Sequence, residues 1–169
     1  IELMDLNSGV YIVAISGGVD SVVLLNMLSK QNNLNLIIGH FNHGIRNESI
    51  SDEKFVISLA SKYKYKLEIG YGNLGTNASE ETARIARYKF TAHHQDDVIE
   101  TAIINLLRGT SRRGLSSLKS SPGITRPLLN WTKEDIYKYA KEHKLVWVED
   151  ESNNDQTYLR NWVRANIMP

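Results

Sequence analysis

Hydrophobic positions along this chain fall into short apolar runs and longer segments with helical spacing. The short runs, partly β-branched, cover residues 11–15 and 34–39, with a weaker one at 65–69. Helical spacing covers residues 19–28 and 50–63. Strands that alternate with helices predict an α/β fold, a doubly wound, mostly parallel sheet in a single domain.

Two further helices are indicated by residues that cap helix N-termini. Asn77 is followed three residues later by Glu80, and Thr132 is followed by Asp135 at the same spacing. In both places a side chain can accept a hydrogen bond from the first turn of a helix. We therefore expect helices to begin just after Asn77 and just after Thr132.

The junction near residue 90 does not fit this alternation. A helical pattern runs to about Phe90 and the next begins near Gln95, which leaves four residues, too few for a loop, a buried strand and a second loop. Either two helices meet there, or residues are absent between Phe90 and Thr91. We predict the absence.

Composition excludes several classes of protein. The 169 residues are 41% hydrophobic and include no cysteine, which excludes disulfide scaffolds, zinc knuckles and cysteine nucleophiles. No apolar run approaches the roughly 18 residues that span a bilayer. We expect a cytoplasmic protein without a membrane segment, and, because the first residue is Ile1, a few residues missing at the start.

The net charge of +1 does not suggest a dedicated nucleic-acid binder, but the charge is unevenly distributed. Residues 84–126 hold eight Lys and Arg against three acidic residues. The basic residues are Arg84, Arg87, Lys89, Arg108, Arg112, Arg113, Lys119 and Arg126. This stretch fits either a polyphosphate or nucleic-acid surface or a solvated face.

The sharpest chemical signal is the loop Ser16-Gly17-Gly18-Val19-Asp20-Ser21, between an apolar strand and a helix. Paired glycines let backbone N–H groups approach a phosphate, and the helix N-terminus adds partial positive charge. A carboxylate beside phosphates makes sense if Asp20 faces a metal ion or orients the loop. The alternative is a tight turn capped by Ser and Asp. The Walker and Rossmann glycine patterns are both missing.

An acidic cluster follows His93 and His94. Asp97 and Glu100 stand three residues apart, which places both carboxylates on one face of a helix where they can hold a metal ion or an ammonium group. The alternative is a favourable interaction of acidic residues with the helix dipole, which accounts for Asp96 but not for the histidines.

A third group of polar residues, His40, His43 and Arg46, lies at the carboxyl end of the second strand. That is the correct edge for a ligand-binding loop. The two histidines could bind zinc, but no third ligand is evident, and hydrogen-bonding histidines are commoner.

Taken together, these residues resemble a known family. The loop is similar to the pyrophosphatase loop, or PP-loop, of enzymes that split ATP into AMP and pyrophosphate, which have an adenine nucleotide alpha hydrolase-like fold. The order of the motifs resembles the tRNA(Ile)-lysidine synthetase family over essentially the whole chain. Those motifs are the loop, His40-x-x-His43-x-x-Arg46, Ala83-Arg84-x-x-Arg87-Tyr88-x-Phe90, residues 91–101, Arg108-Gly109, Arg126-Pro127-Leu128-Leu129, Asp150-x-Ser152-Asn153 and Arg160-Asn161.

The resemblance implies a ligase that joins free L-lysine to the wobble cytidine of an isoleucine tRNA with a CAU anticodon. ATP adenylates the base, and the lysine amine then displaces AMP. ATP would be held by Ser16, Gly17, Gly18, Val19, Asp20 and Ser21, with Mg²⁺ near Asp20. The catalytic residues would be Asp20, Arg84, His93, Asp97 and Glu100.

Lysine and tRNA would contact a further set of residues under this resemblance, and the oligomeric state is left open. The set is His40, His43, Arg46, Arg87, Asp97, Glu100, Arg108, Arg112 and Arg113.

Two features depart from the family pattern. We predict that a loop and strand are missing between Phe90 and Thr91, and we expect the further domains that grip tRNA in many members to be absent. The alternatives are another PP-loop tRNA-modifying enzyme or a non-catalytic nucleotide- or RNA-binding module. Sulfur insertion into a base resembles cysteine-based chemistry, for which the chain has no cysteine.

Overall fold

The computed structural model of the chain describes residues 9–42, 49–71, 88–109, 123–149 and 157–168. Its elements in chain order are β1 (Gly9–Ala14), α1 (Val19–Ser29), β2 (Leu34–Asn42), α2 (Ser49–Tyr63), β3 (Lys66–Tyr71), β4 (Tyr88–Phe90), α3 (Gln95–Leu107), β5 (Ile124–Thr125), α4 (Lys133–Glu142) and α5 (Leu159–Asn166). The helix expected after Asn77 lies outside the described residues.

The strands form one sheet in the order β3-β2-β1-β4-β5, and every pairing is parallel. Successive strands run outward from β1 to β3 on one side, and β4 and β5 lie on the other side. The carboxyl ends of β1 and β4 therefore flank the point where the strand order reverses, which is where open α/β sheets bind ligands. The predicted fold class is confirmed.

The core lies between this sheet and its helices. It includes Val13 of β1, Ile38 of β2, Leu24 of α1 and Ile136 of α4, all with their side chains fully buried. Helix α1 is apolar around most of its circumference because it lies against both β2 and α4. None of the helices within the described ranges is long and apolar enough to cross a membrane.

The interpretation of residues up to Phe90 as helix is wrong. Tyr88–Phe90 form strand β4, which pairs with β1 on one side and β5 on the other. Lys89 is exposed while Phe90 is fully buried and stacks on Tyr11 with ring centroids 4.8 Å apart. A segment of three residues fits both strand and helix periodicity, and here the pairing with β1 and β5 makes it a strand. Missing residues between Phe90 and Thr91 stay a prediction.

We predict that Phe90→Ala lowers the free energy of unfolding by about 3–5 kcal/mol, because it removes a buried ring and leaves a cavity beside the Tyr11 ring on the face of the sheet. Urea denaturation followed by circular dichroism measures this. The control is Phe41→Ala, at a ring that is half exposed, where we expect a loss of about 1 kcal/mol or less. Equal losses in the two variants would contradict the placement of Phe90.

Candidate active site at the carboxyl edge of the sheet

The loop between β1 and α1 is held in a tight turn. Gly17 has a φ of +100°, which side-chain-bearing residues rarely adopt. A Cβ atom there would lie 3.4 Å from the Phe55 ring, and the Gly17 carbonyl accepts a hydrogen bond from Val148 N at 3.0 Å. The backbone angle therefore favours glycine at position 17, whereas a Cβ there would make only ordinary van der Waals contacts.

The two serine hydroxyls fix the shape of the loop. Ser21 Oγ donates to the Gly18 carbonyl at 2.9 Å and accepts from Gly17 N at 3.2 Å. Ser16 Oγ accepts from Gly18 N at 3.4 Å and lies 3.3 Å from Ser21 Oγ. Ser21 is buried and serves the loop itself, whereas Ser16 is exposed.

The loop has the features of a site for a polyphosphate group. Gly18 is the N-cap of α1, so the amides of Val19 and Asp20 have no acceptor within the helix. A Cβ at Gly18 would contact only Ser16 Oγ, at 3.6 Å, so the surface over this residue is open. Backbone N–H groups at an open helix N-terminus suit the pyrophosphate part of ATP.

Asp20 has a partner that the sequence analysis missed. Lys133 Nζ, at the start of α4, lies 2.6 Å from Asp20 Oδ1 and 2.8 Å from Oδ2. The backbone N–H of Lys133 donates to Asp96 Oδ2 at 3.0 Å. One signal was available, because a cation in the first turn of a helix opposes the helix dipole and calls for a nearby anion.

His94 lies between the loop and the acidic cluster. Its side chain is 3% exposed, and its Nε2 atom is 3.4 Å from Asp97 Oδ2 and 3.8 Å from Asp20 Oδ1. Its backbone N–H donates to Asp97 Oδ2 at 3.0 Å, which fixes the start of α3. The loop and the acidic cluster, which are far apart in sequence, therefore form one site.

Asp97 and Glu100 point to the same side of α3, as their spacing predicts. Both pair with arginines from α5: Arg164 Nε lies 2.9 Å from Glu100 Oε2, and Arg164 Nη2 lies 3.2 Å from Asp97 Oδ1. Arg160 Nε contacts Glu100 Oε1. Glu100 is fully buried, so the arginines supply the compensating charge that such a carboxylate requires.

His93 lies beside this cluster, and a hydrogen bond orients its ring. Its Nδ1 atom is 3.0 Å from Thr91 Oγ1. Burial lowers the pKa of His93 below its usual 6.5, the Asp97 carboxylate opposes this shift, and Arg126 and Arg160 add to it. The imidazole is therefore predominantly neutral near pH 7 and can accept a proton.

The remaining predicted site residues do not all lie beside the loop or the acidic cluster. His40 is buried, and its Nδ1 atom lies 2.8 Å from the Ile15 carbonyl oxygen, just before the loop. Arg108 follows the last residue of α3, about 16 Å along the helix from Asp97, so it does not join the cluster. Outside the described residues lie His43, Arg46, Arg84, Arg87, Arg112 and Arg113.

The donor set suits magnesium only in combination with phosphate. Within the ranges that the structure covers, no three His, Asp or Glu side chains are arranged to hold a metal ion. Mg²⁺ usually binds through one or two carboxylates together with substrate phosphates, and Asp20 offers one carboxylate beside the loop.

Solved structures with a similar fold include two enzymes. The U34-tRNA thiolase NcsA from Methanococcus maripaludis, solved with its [4Fe-4S] cluster, superposes with a TM-score of 0.69 at 19% identity and covers 96% of this chain and 67% of that protein. An NH3-dependent NAD synthetase from Campylobacter jejuni gives 0.53 at 14% identity, over 91% of this chain and 69% of that one. These likenesses show the fold.

The sequence profile of the PP-loop domain matches residues 2–169, and the chain belongs to this family. Two of its relatives are named tRNA(Ile)-lysidine synthase. A tRNA(Ile)-lysidine synthase from Wolbachia pipientis is 40% identical over 90% of this chain, and one from Nitrosomonas europaea is 39% identical over 93%. The chain spans about two fifths of their length, 41% and 40%.

We predict that the His93 ring titrates with a pKa below 6.5, so that lowering the pH to 6.5 leaves more than half of it neutral. NMR titration of the histidine Cε1 protons measures this, with His93→Gln identifying the signal. A pKa of 6.5 or higher would contradict the environment described for this ring.

Proposed function

We propose that the chain catalyses ATP-dependent joining of free L-lysine to C2 of the wobble cytidine in the CAU anticodon of an isoleucine tRNA. ATP use is supported by the PP-loop domain match, and lysine and tRNA by the names of the relatives. The observation that carries the proposal is the position of His94, which joins the phosphate loop to Asp97 in one site.

The reaction needs two sites that are close together. In the first step, the cytidine O2 attacks the α-phosphorus of ATP and pyrophosphate leaves. In the second, the lysine amine attacks C2, the C2–O2 bond breaks, AMP leaves with that oxygen, and the amine loses a proton. Adenylation is useful because it converts a poor leaving group into a good one.

The loop residues suit the first step. The amides of Val19 and Asp20 and the hydroxyl of Ser16 would bind the pyrophosphate oxygens, since all three lie at the open end of the loop. Mg²⁺ held by Asp20 would neutralise phosphate charge. Gly17, Gly18 and Ser21 would keep the loop in its shape.

The acidic cluster suits the second step. A free lysine carries an ammonium at its side chain and a carboxylate at its α-carbon, and this part of the site offers both signs of charge. Asp97 would bind the ammonium, while Arg160, half exposed beside Glu100, can face the carboxylate. His93, neutral and oriented by Thr91, would accept the proton from the attacking amine.

The tRNA contacts are proposed for the basic residues named from the sequence, with Arg84 steadying charge near the α-phosphate. Relatives extend well beyond the matched region, so tRNA binding by the whole protein is part of the proposal.

The alignment with the Wolbachia protein covers 179 positions, more than the 169 residues of this chain, which supports a segment missing from the interior. The proposed compartment is the cytoplasm.

We predict that Asp97→Asn abolishes lysine transfer and leaves ATP binding within about twofold, because the carboxylate faces the amine rather than the loop. Incorporation of radiolabelled lysine into isoleucine tRNA, with leucine as the amino-acid control, measures the transfer. Equilibrium dialysis measures ATP binding.

The matched control is Asp52→Asn, which removes a carboxylate from the first turn of α2 rather than α3. It should keep lysine transfer near the unsubstituted rate. Unchanged transfer by Asp97→Asn would refute the role of this residue. ATP and tRNA binding without AMP release by the unsubstituted chain would support a non-catalytic module instead.

A further inference from the structure

We propose that Lys133 is a pyrophosphate-binding residue, whose ammonium pairs with Asp20 in the free protein and contacts the phosphate oxygens when ATP is bound. This inference rests on the proposed binding of ATP at the loop. It assigns a ligand contact to a side chain 113 residues away from that loop.

The position of Asp20 places the ammonium at the mouth of the loop. Asp20 is the second residue of α1, so its carboxylate flanks the amides that have no acceptor within the helix. Lys133 Nζ contacts both oxygens of that carboxylate, at 2.6 and 2.8 Å. Any anion that reaches those amides therefore also reaches the vicinity of the lysine.

Lys133 is fixed through its backbone, while its ammonium is held by the Asp20 carboxylate and lies 5.4 Å from the Tyr137 ring centroid. Its backbone N–H donates to Asp96, and Thr132 with Asp135 fixes the turn through bonds of 3.0 and 3.1 Å. The side chain is about one third exposed. The flexible four-carbon stem can therefore shift its ammonium from Asp20 to a neighbouring phosphate without moving α4.

Electrostatics explains why a cation is useful here. Asp20, Asp96 and Asp97 surround His94, and their charges would repel a polyanion. Lys133 offsets that repulsion. A partly exposed ion pair adds little to folding stability, so stability gives a weak reason for a lysine that opposes the dipole of its own helix.

The test is the affinity for inorganic pyrophosphate, measured by isothermal titration calorimetry without Mg²⁺ or tRNA. We predict that Lys133→Met weakens binding about tenfold, and that Lys133→Arg, which keeps the positive charge, weakens it less. The matched control is Lys141→Met, which removes an exposed lysine from the last turn of α4 and should change binding less than about twofold.

A double substitution separates a direct contact from an effect through Asp20. If Lys133 only neutralises Asp20, then Lys133→Met has no effect in an Asp20→Asn background, and the proposal is overturned. If Lys133 contacts pyrophosphate, the loss of about tenfold persists in that background. Circular dichroism verifies that each variant folds.

A measurement on the unsubstituted chain covers the case in which Lys133→Met does not fold. Lysines are reductively methylated with ¹³C-formaldehyde, and Lys133→Arg identifies the Lys133 NMR signal. Pyrophosphate should shift that signal and leave the Lys141 signal in place. An unmoved Lys133 signal, or no binding of pyrophosphate, overturns the proposal. Failure of lysine transfer with these binding results intact would overturn the proposed function alone.

Discussion

Charge compensation at the carboxyl edge of the sheet governs how the second half of the chain is arranged. Carboxylates crowd this edge, and a buried carboxylate without a partner is strongly destabilising. The compensating cations all come from the last third of the described chain: Lys133 pairs with Asp20, and Arg160 and Arg164 pair with Glu100. Helices α4 and α5 therefore have a fixed place relative to the phosphate loop.

The same pairing of charges divides the site into a region that favours anions and a region that favours cations. Around the loop, free amides and a lysine favour an anion, whereas around α3 the carboxylates favour a cation. His94 stands between these regions, 3.8 Å from Asp20 and 3.4 Å from Asp97. A reaction that needs a polyphosphate and an amine close together can use such an arrangement, because the anion and the cation bind to different residues.

Local patterns predicted the elements whose signals are contiguous. The first strand, the loop and α1 follow one another without a break, and Thr132 with Asp135 caps α4 as expected. The spacing of Asp97 and Glu100 on one helical face was also readable. Tyr88–Phe90 was misread, because three residues can fit either period and only pairing with β1 and β5 decides between them.

By itself, the sequence determined the class of fold, the phosphate loop and the acidic face of α3. Each of these features depends on residues that are close together along the chain. Only the tertiary structure decided which charges meet. The pairs between Asp20 and Lys133, and between Glu100 and Arg164, join residues 113 and 64 positions apart. Coulombic attraction depends on distance in space, and distance in space between remote residues is set by how the helices pack on the sheet.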